Sequence, residues 1–181
     1  NHERRMVQMG EPPLGRELGD DLLQRPQFSR NTMYRNRGDG TYAEVAYMAG
    51  THAAEWAWTP IFVDVDLDGF EDLLVTNGHE RDALNAEVRT QIEKQIQNPK
   101  LSRNDILLLS SLYQRLATPN VAFRNRGDFT FEDVSEAWGF AKSEVSHGMA
   151  LADLDNDGDQ DVVVNNLNGL AGVFRNEGMA P

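Results

Sequence analysis

Cysteine is absent from the 181 residues, which excludes both a disulfide framework and a zinc–thiolate centre and leaves the redox compartment unread. Basic charge is scarce: 17 lysines and arginines stand against 29 aspartates and glutamates, for a formal net charge of −12. Nucleic acid demands a basic face and an anionic membrane surface a polybasic patch, so neither partner is expected. No apolar run approaches the roughly 18 residues that a membrane span needs. Missing too are a Gly-x-Ser-x-Gly elbow, a phosphate-binding loop and a dinucleotide fingerprint. With no catalytic constellation in view, the chain is not expected to be an enzyme. Its hydrophobic content of 40% still supports a real core, and its length suits one ordinary domain or a slice of a larger one.

What is present is acidity in two places. Asp64-Val-Asp66-Leu-Asp68-Gly69-Phe70-Glu-Asp72 recurs as Asp153-Leu-Asp155-Asn-Asp157-Gly158-Asp159-Gln-Asp161, 89 residues further on, and the two segments hold ten of the 29 acidic side chains. Aspartates at loop positions 1, 3, 5 and 9 bring hard oxygens to one ion, and glycine at position 6 permits the sharp turn around it. Two calcium ions would bring the formal charge to about −8. Magnesium fits less well, because it prefers few protein ligands in a strict octahedron. Without a cation the crowded carboxylates would repel and loosen the hairpin. A metal-free acidic turn is the plain alternative, and the second copy with its aspartates retained weakens it.

The loops belong to a longer repeat. A shift of 89 aligns residues 34–77 with 123–166 without a gap: Tyr34-Arg-Asn-Arg-Gly-Asp-Gly-Thr-Tyr42 meets Phe123-Arg-Asn-Arg-Gly-Asp-Phe-Thr-Phe131, and Leu73-Leu-Val75 meets Val162-Val-Val164. A third copy starts at Phe174-Arg-Asn-Glu-Gly178. Short β-branched and aromatic segments, roughly Trp58 to Asp64, Asp72 to Asn77, Val121 to Asn125 and Thr130 to Val134, predict a four-stranded antiparallel blade. One blade cannot bury both faces alone, so neighbours must stack. From loop to aromatic strand the chain runs 59 residues in the first case and 21 in the second. The extra 38 residues carry Ala83, Leu84, Val88, Ile92 and Ile96 at helical spacing, a breaker at Asn98-Pro99, and a second helical run from about Asn104 to Leu116. They predict a helical hairpin whose apolar stripe, Ile106 to Leu109 with Leu112, must be covered by the blade edge or by a partner.

These residues resemble the FG-GAP/VCBS repeat of integrin-type β-propellers, in the subgroup that includes cartilage acidic protein and ASPIC/UnbV-type proteins. The resemblance covers residues 33–77 and 121–177. It implies a β-propeller of four-stranded antiparallel blades, cut from a parent of about seven. With the insertions read from helical spacing, which lie outside the match, the expected fold is mainly β, a partial β-propeller of four-stranded antiparallel blades with α-helical insertions. His2-Glu3-Arg4 and Leu22-Leu-Gln-Arg25 resemble His79-Glu80-Arg81 and Leu112-Tyr-Gln-Arg115 of the insertion, so residues 1–32 are expected to form a helical insertion of a preceding blade and 33–57 the end of that blade. Residues 58–134 make a complete blade, with calcium loop 64–72 and insertion 79–120, and 135–181 a connector and an incomplete next blade with calcium loop 153–161. Both ends therefore fall partway through a repeat. The chain opens on Asn1, with no leader visible. The family pattern assigns the first calcium to the carboxylates of Asp64, Asp66, Asp68 and Asp72 and the carbonyl of Phe70. It assigns the second to Asp153, Asp155, Asp157 and Asp161 and the carbonyl of Asp159. It also implies a secreted, periplasmic or cell-surface protein acting in binding or adhesion, with a protein or carbohydrate ligand, or further blades, as partner.

Rival readings of the same residues fare worse. An EF-hand needs a glutamate at position 12 and flanking helices, whereas Val75 and Val164 stand there among strand formers. Dockerin-like loops want an acid there as well, and thrombospondin-type repeats bring cysteines. Arg37-Gly38-Asp39 and Arg126-Gly127-Asp128 spell an integrin-recognition tripeptide, but both sit where a hairpin turn wants glycine and aspartate. His2-Glu3 and His79-Glu80 lack the second histidine of a zinc protease. Trp56 and Trp58 suit blade packing better than sugar stacking. Two other functions stay open: an accessory or site-bearing propeller segment of a larger enzyme such as a polysaccharide lyase or phospholipase, and a self-assembling protein with blades completed between copies.

Overall fold

A computed structural model describes residues 30–83, 85–97 and 101–178. The helical insertion expected over 1–32 falls almost wholly outside the described residues, as do Leu84 and the Asn98-Pro99 breaker. The described residues begin with a hairpin, β1 (Tyr34–Asn36) and β2 (Tyr42–Glu44), followed by a single helical turn, α1 (Ala46–Ala49). Four strands then form one antiparallel sheet in the order β3 (Ala57–Val63), β4 (Asp72–Asn77), β6 (Val121–Asn125), β7 (Phe131–Asp133). Between β4 and β6 the chain leaves the sheet for α2 (Ala86–Ile96), α3 (Arg103–Leu109) and a two-residue strand β5 (Thr118–Pro119). β5 pairs with β8 (Ser143–Glu144). A three-stranded sheet follows in the order β11 (Gly172–Phe174), β10 (Asp161–Asn166), β9 (Ser146–Ala152).

The 89-residue register survives in the pairing. Val63 faces Asp72 and Ala152 faces Asp161; Tyr34 faces Glu44 and Phe123 faces Asp133. Both inner hairpins are irregular at the same place, next to the Ala57–Asn77 and Ser146–Asn166 pairs.

β4 is buried along its whole length because both faces are covered. Leu74 joins Val63, Ala122, Phe140, Val162 and Val164 in the core between the two sheets, with Trp138, Met149, Leu151 and Phe174 packed against them. Leu73 and Val75 point the other way, to Ala54, Phe123, Met33 and Phe131. Each such aliphatic side chain contributes about 1.5–3 kcal/mol over leaving it in water, so stacked sheets supply what one sheet lacks. The fold is mainly β and built of propeller-type blades.

The insertion departs from expectation in two ways. α2 is capped by Asn85, whose side chain accepts from Glu87 and Val88, and α3 by a Ser102–Asp105 capping box. The second helical run nevertheless ends at a 3₁₀ turn, Ser110–Leu112, and does not reach Leu116. Leu116 instead exchanges backbone hydrogen bonds with His79, at 2.8 and 2.9 Å. The apolar spacing continues past Leu112, but sheet-like pairing satisfies the same backbone groups. The second departure is exposure: neither helix has a buried residue, and Leu107 and Leu108 are 64% and 67% exposed. Among the described residues the blade edge does not cover the stripe.

Candidate metal centres

Both acidic loops lie at one end of their inner hairpins, between β3 and β4 and between β9 and β10, opposite the insertion. The turn is built by the loop's own carboxylates. Asp64 Oδ1 and Oδ2 accept from the Asp68 and Gly69 amides at 3.0 and 2.9 Å, and Asp68 Oδ1 accepts from Phe70 N at 2.9 Å. The second loop repeats this, with Asp153 accepting from Asp157 and Gly158 at 3.1 Å each. Gly69 and Gly158 hold φ at +90° and +99°, where a side chain is strained.

In the first loop, carboxylate oxygens of Asp64, Asp66 and Asp72 lie within 4.8 Å of one another. Asp68 and Phe70 stand outside that trio. Asp68 turns to Phe70 N and Arg124, and the Phe70 ring packs over Gly127. In the second loop the trio is Asp153, Asp155 and Asp157. Asp161, buried, lies outside that trio; its oxygens accept from the Leu154 and Asn176 amides at 2.9 and 2.8 Å, as those of Asp72 accept from Val65 and Asn125. The Asp159 carbonyl accepts from the Gln160 side chain at 3.4 Å, and the Asp159 carboxyl is itself buried.

The electrostatics show what the first trio lacks. Burial pushes the Asp72 carboxyl above the usual carboxylate range, against the pull of the Asn125 and Val65 amides, and the charges of Asp66 and Asp68 push it further. Burial likewise raises Asp159, with Asp157 adding to it. Asp66, its side chain 3% exposed, keeps Oδ1 buried with no hydrogen-bond partner. An unpartnered buried oxygen costs about 1–3 kcal/mol, more when charged. A hard cation at the trio would supply the missing partner, so the donor set fits calcium.

Two arginines and two asparagines belong to these loops and were not foreseen. Arg124 on β6 places Nε 2.6 Å from Asp66 Oδ2 and also reaches Asp68, and Arg175 after β11 places Nε 2.5 Å from Asp155 Oδ2. Asn125 gives its amide to Asp72 Oδ1 and Asn176 gives its own to Asp161 Oδ1, each at 2.8 Å. The third strand thus clamps the loop of its own blade. The one available signal was the repeated aromatic-Arg-Asn triplet.

The sequence profile described as the FG-GAP-like repeat matches residues 20–75 and 102–164. The chain belongs to the FG-GAP-like repeat family. It is also similar to cartilage acidic protein 1 of Xenopus tropicalis, 42% identical over 57 residues, a stretch that covers 31% of this chain and 9% of that protein. The chain therefore spans a small part of the relative's length. Each matched segment of the FG-GAP-like chain takes in strands of the sheets described above, and the second contains β9 and the loop up to β10.

The remaining candidates serve the frame. In the hairpin turns, Asp39 Oδ1 accepts from Thr41 N and Oγ1 at 2.9 and 2.7 Å, and Asp128 does the same with Thr130 at 2.9 and 2.6 Å. These bonds hold both carboxyls below the usual range and give the Arg-Gly-Asp aspartates a turn-forming role. Trp58 donates Nε1 to the Gly78 carbonyl at 2.5 Å, stacks on His79 with ring centres 5.9 Å apart, and meets the His147 ring at 4.4 Å with the planes tilted by 52°. His147 thus meets the residue it replaces in the repeat. Among the described residues no helix is long and apolar enough to cross a membrane.

Proposed function

We propose that this chain is a calcium-stabilised segment of an extracytoplasmic β-propeller and acts as a non-catalytic module for binding or assembly. The partnerless, buried Asp66 Oδ1, set beside Asp64 and Asp72 in a loop that recurs in the next blade, carries the calcium reading. Asp64, Asp66 and Asp72 would hold one ion, and Asp153, Asp155 and Asp157 the other. A bound ion supplies charge neutralisation and nothing redox-active. The chain's own groups do the rest: Asp64 and Asp153 shape the turn through backbone amides, while Arg124 and Arg175 fix the third-strand side of each loop. The family and the likeness to cartilage acidic protein 1 support secretion or surface display. The exposed Ile106, Leu107, Leu108 and Leu112 support a protein partner or further blades, and the half-exposed Trp58 adds aromatic surface that a carbohydrate could contact.

Calorimetric unfolding with and without calcium tests the core of this proposal. Calcium is expected to raise Tm by several degrees, since ligand at 100 times its Kd adds about 2.7 kcal/mol. The double variant Asp66→Ala, Asp155→Ala is expected to lose that rise. An equal Tm with calcium and with chelator, or an unchanged rise in the double variant, removes the metal from the account.

A further inference from the structure

We propose that Asn176 is a positioning residue that couples the two metal loops, so that filling either one strengthens the other; this rests on the calcium reading above. Val65 occupies position 2 of the first loop, between Asp64 and Asp66. Its amide donates to Asp72 Oδ2 at 2.9 Å, and its carbonyl accepts from Asn176 Nδ2 at 2.8 Å. The Asn176 amide donates in turn to Asp161 Oδ1 at 2.8 Å, and Asp161 Oδ2 accepts from the Leu154 amide at 2.9 Å. One continuous line of hydrogen bonds therefore runs from positions 2 and 9 of one loop to positions 9 and 2 of the other. Next to Asn176, Arg175 grips Asp155 of the second loop.

The inter-blade bond is not a by-product of the repeated triplet. Asn125 holds the same place in the preceding copy, yet gives its Nδ2 to the Glu71 carbonyl inside its own blade, at 2.9 Å. Asn176 crosses instead to the neighbouring blade, where it and Val65 share the wall of a cavity of about 320 Å³ between the two sheets. A cation that draws Asp64, Asp66 and Asp72 together fixes the Val65 peptide among them. That peptide then holds the Asn176 side chain, whose backbone amide is the partner of Asp161. The second loop meets a strand already ordered and binds without that part of the entropy cost. Linkage makes the effect reciprocal.

Calcium titration of the full chain by calorimetry tests the coupling, with Asp66→Asn disabling the first loop and Asp155→Asn the second. Each surviving loop is expected to bind about fivefold or more weakly than it does in the intact chain, by the same factor in both directions. In Asn176→Ala, and in Asn176→Leu, which keeps the side-chain bulk against the cavity but has no donor, that factor is expected to fall to about one. Equal affinities in intact and single-loop chains, or a factor that persists in both Asn176 variants, overturn the coupling and leave the calcium reading standing. No calcium uptake by the intact chain overturns both.

Discussion

A β-carbon on Gly78 would lie 2.4 Å from the Glu144 carbonyl oxygen and 2.8 Å from Val145 Cα, and the residue's φ of +112° disfavours a side chain in any case. Backbone cannot yield as a flexible side chain can. Gly78→Ala is therefore expected to cost about 4 kcal/mol in urea unfolding. Gly40→Ala provides the control: at φ +84° with nothing within 4 Å, it should cost only the strain of the left-handed conformation, about 1–2 kcal/mol. Equal losses in the two would show that close approach contributes nothing at Gly78. A second residue-scale effect is electrostatic. The bidentate hydrogen bonds from Arg30, at 2.9 and 2.5 Å, pull the Glu44 carboxyl from its ordinary 4.5 to about 2, with the Ala46 and Met33 amides adding to the pull. A carboxyl depressed in the folded state stabilises the fold above its unfolded pKa, and that stabilisation is lost as pH falls through the folded value. The Tm advantage of the natural chain over Glu44→Gln should thus be constant above about pH 5 and shrink steadily toward pH 2. An advantage that is flat across that range would remove the ion pair from the account of acid stability.

At the scale of elements, what could be read from the sequence was what is local. Asp72 to Asn77 and Val121 to Asn125 are legible as strands because β-branched and apolar residues run between turn formers, and the structure places β4 and β6 on those residues. The two loops are legible because their aspartates repeat at one spacing with glycine at position 6. The helix ends are half legible. The Ser102–Asp105 capping box is written in the sequence, but the pairing of Leu116 with His79 is not, since the apolar spacing runs on past Leu112 and only the sheet edge decides otherwise. The contacts that complete each site were the least legible. Arg124 meets Asp68 across 56 residues and Asn176 meets Val65 across 111, and no period in the chain reports which strand end will abut which loop. The difference between Asn125, which stays within its blade, and Asn176, which leaves it, is invisible in two identical Arg-Asn dipeptides. It follows only from how one blade stacks on the next.

At the scale of the whole molecule two forces oppose each other. Net charge of −12 pushes copies of the chain apart over a Debye length of about 10 Å at 0.1 M salt. Against that stands an apolar ridge on the insertion, with Leu107 and Leu108 about two-thirds exposed and Ile106 and Leu112 at 40% and 41%. Contiguous apolar surface of this kind marks interaction sites more often than it marks bare surface. The loops that hold much of the negative charge lie at the end of the blades opposite the insertion, so repulsion does not originate at the ridge. Screening should therefore weaken the repulsion without weakening the attraction, because apolar burial is not a charge interaction and is not screened by salt. Light scattering behind size exclusion is expected to show a mass that rises with protein concentration at about 0.5 M salt and less so at low salt. Leu107→Asp with Leu108→Asp should hold the mass at one chain under both conditions. A single-chain mass at every concentration and salt would assign the ridge to an occupant other than a second copy, and would end the reading in which blades are completed between copies.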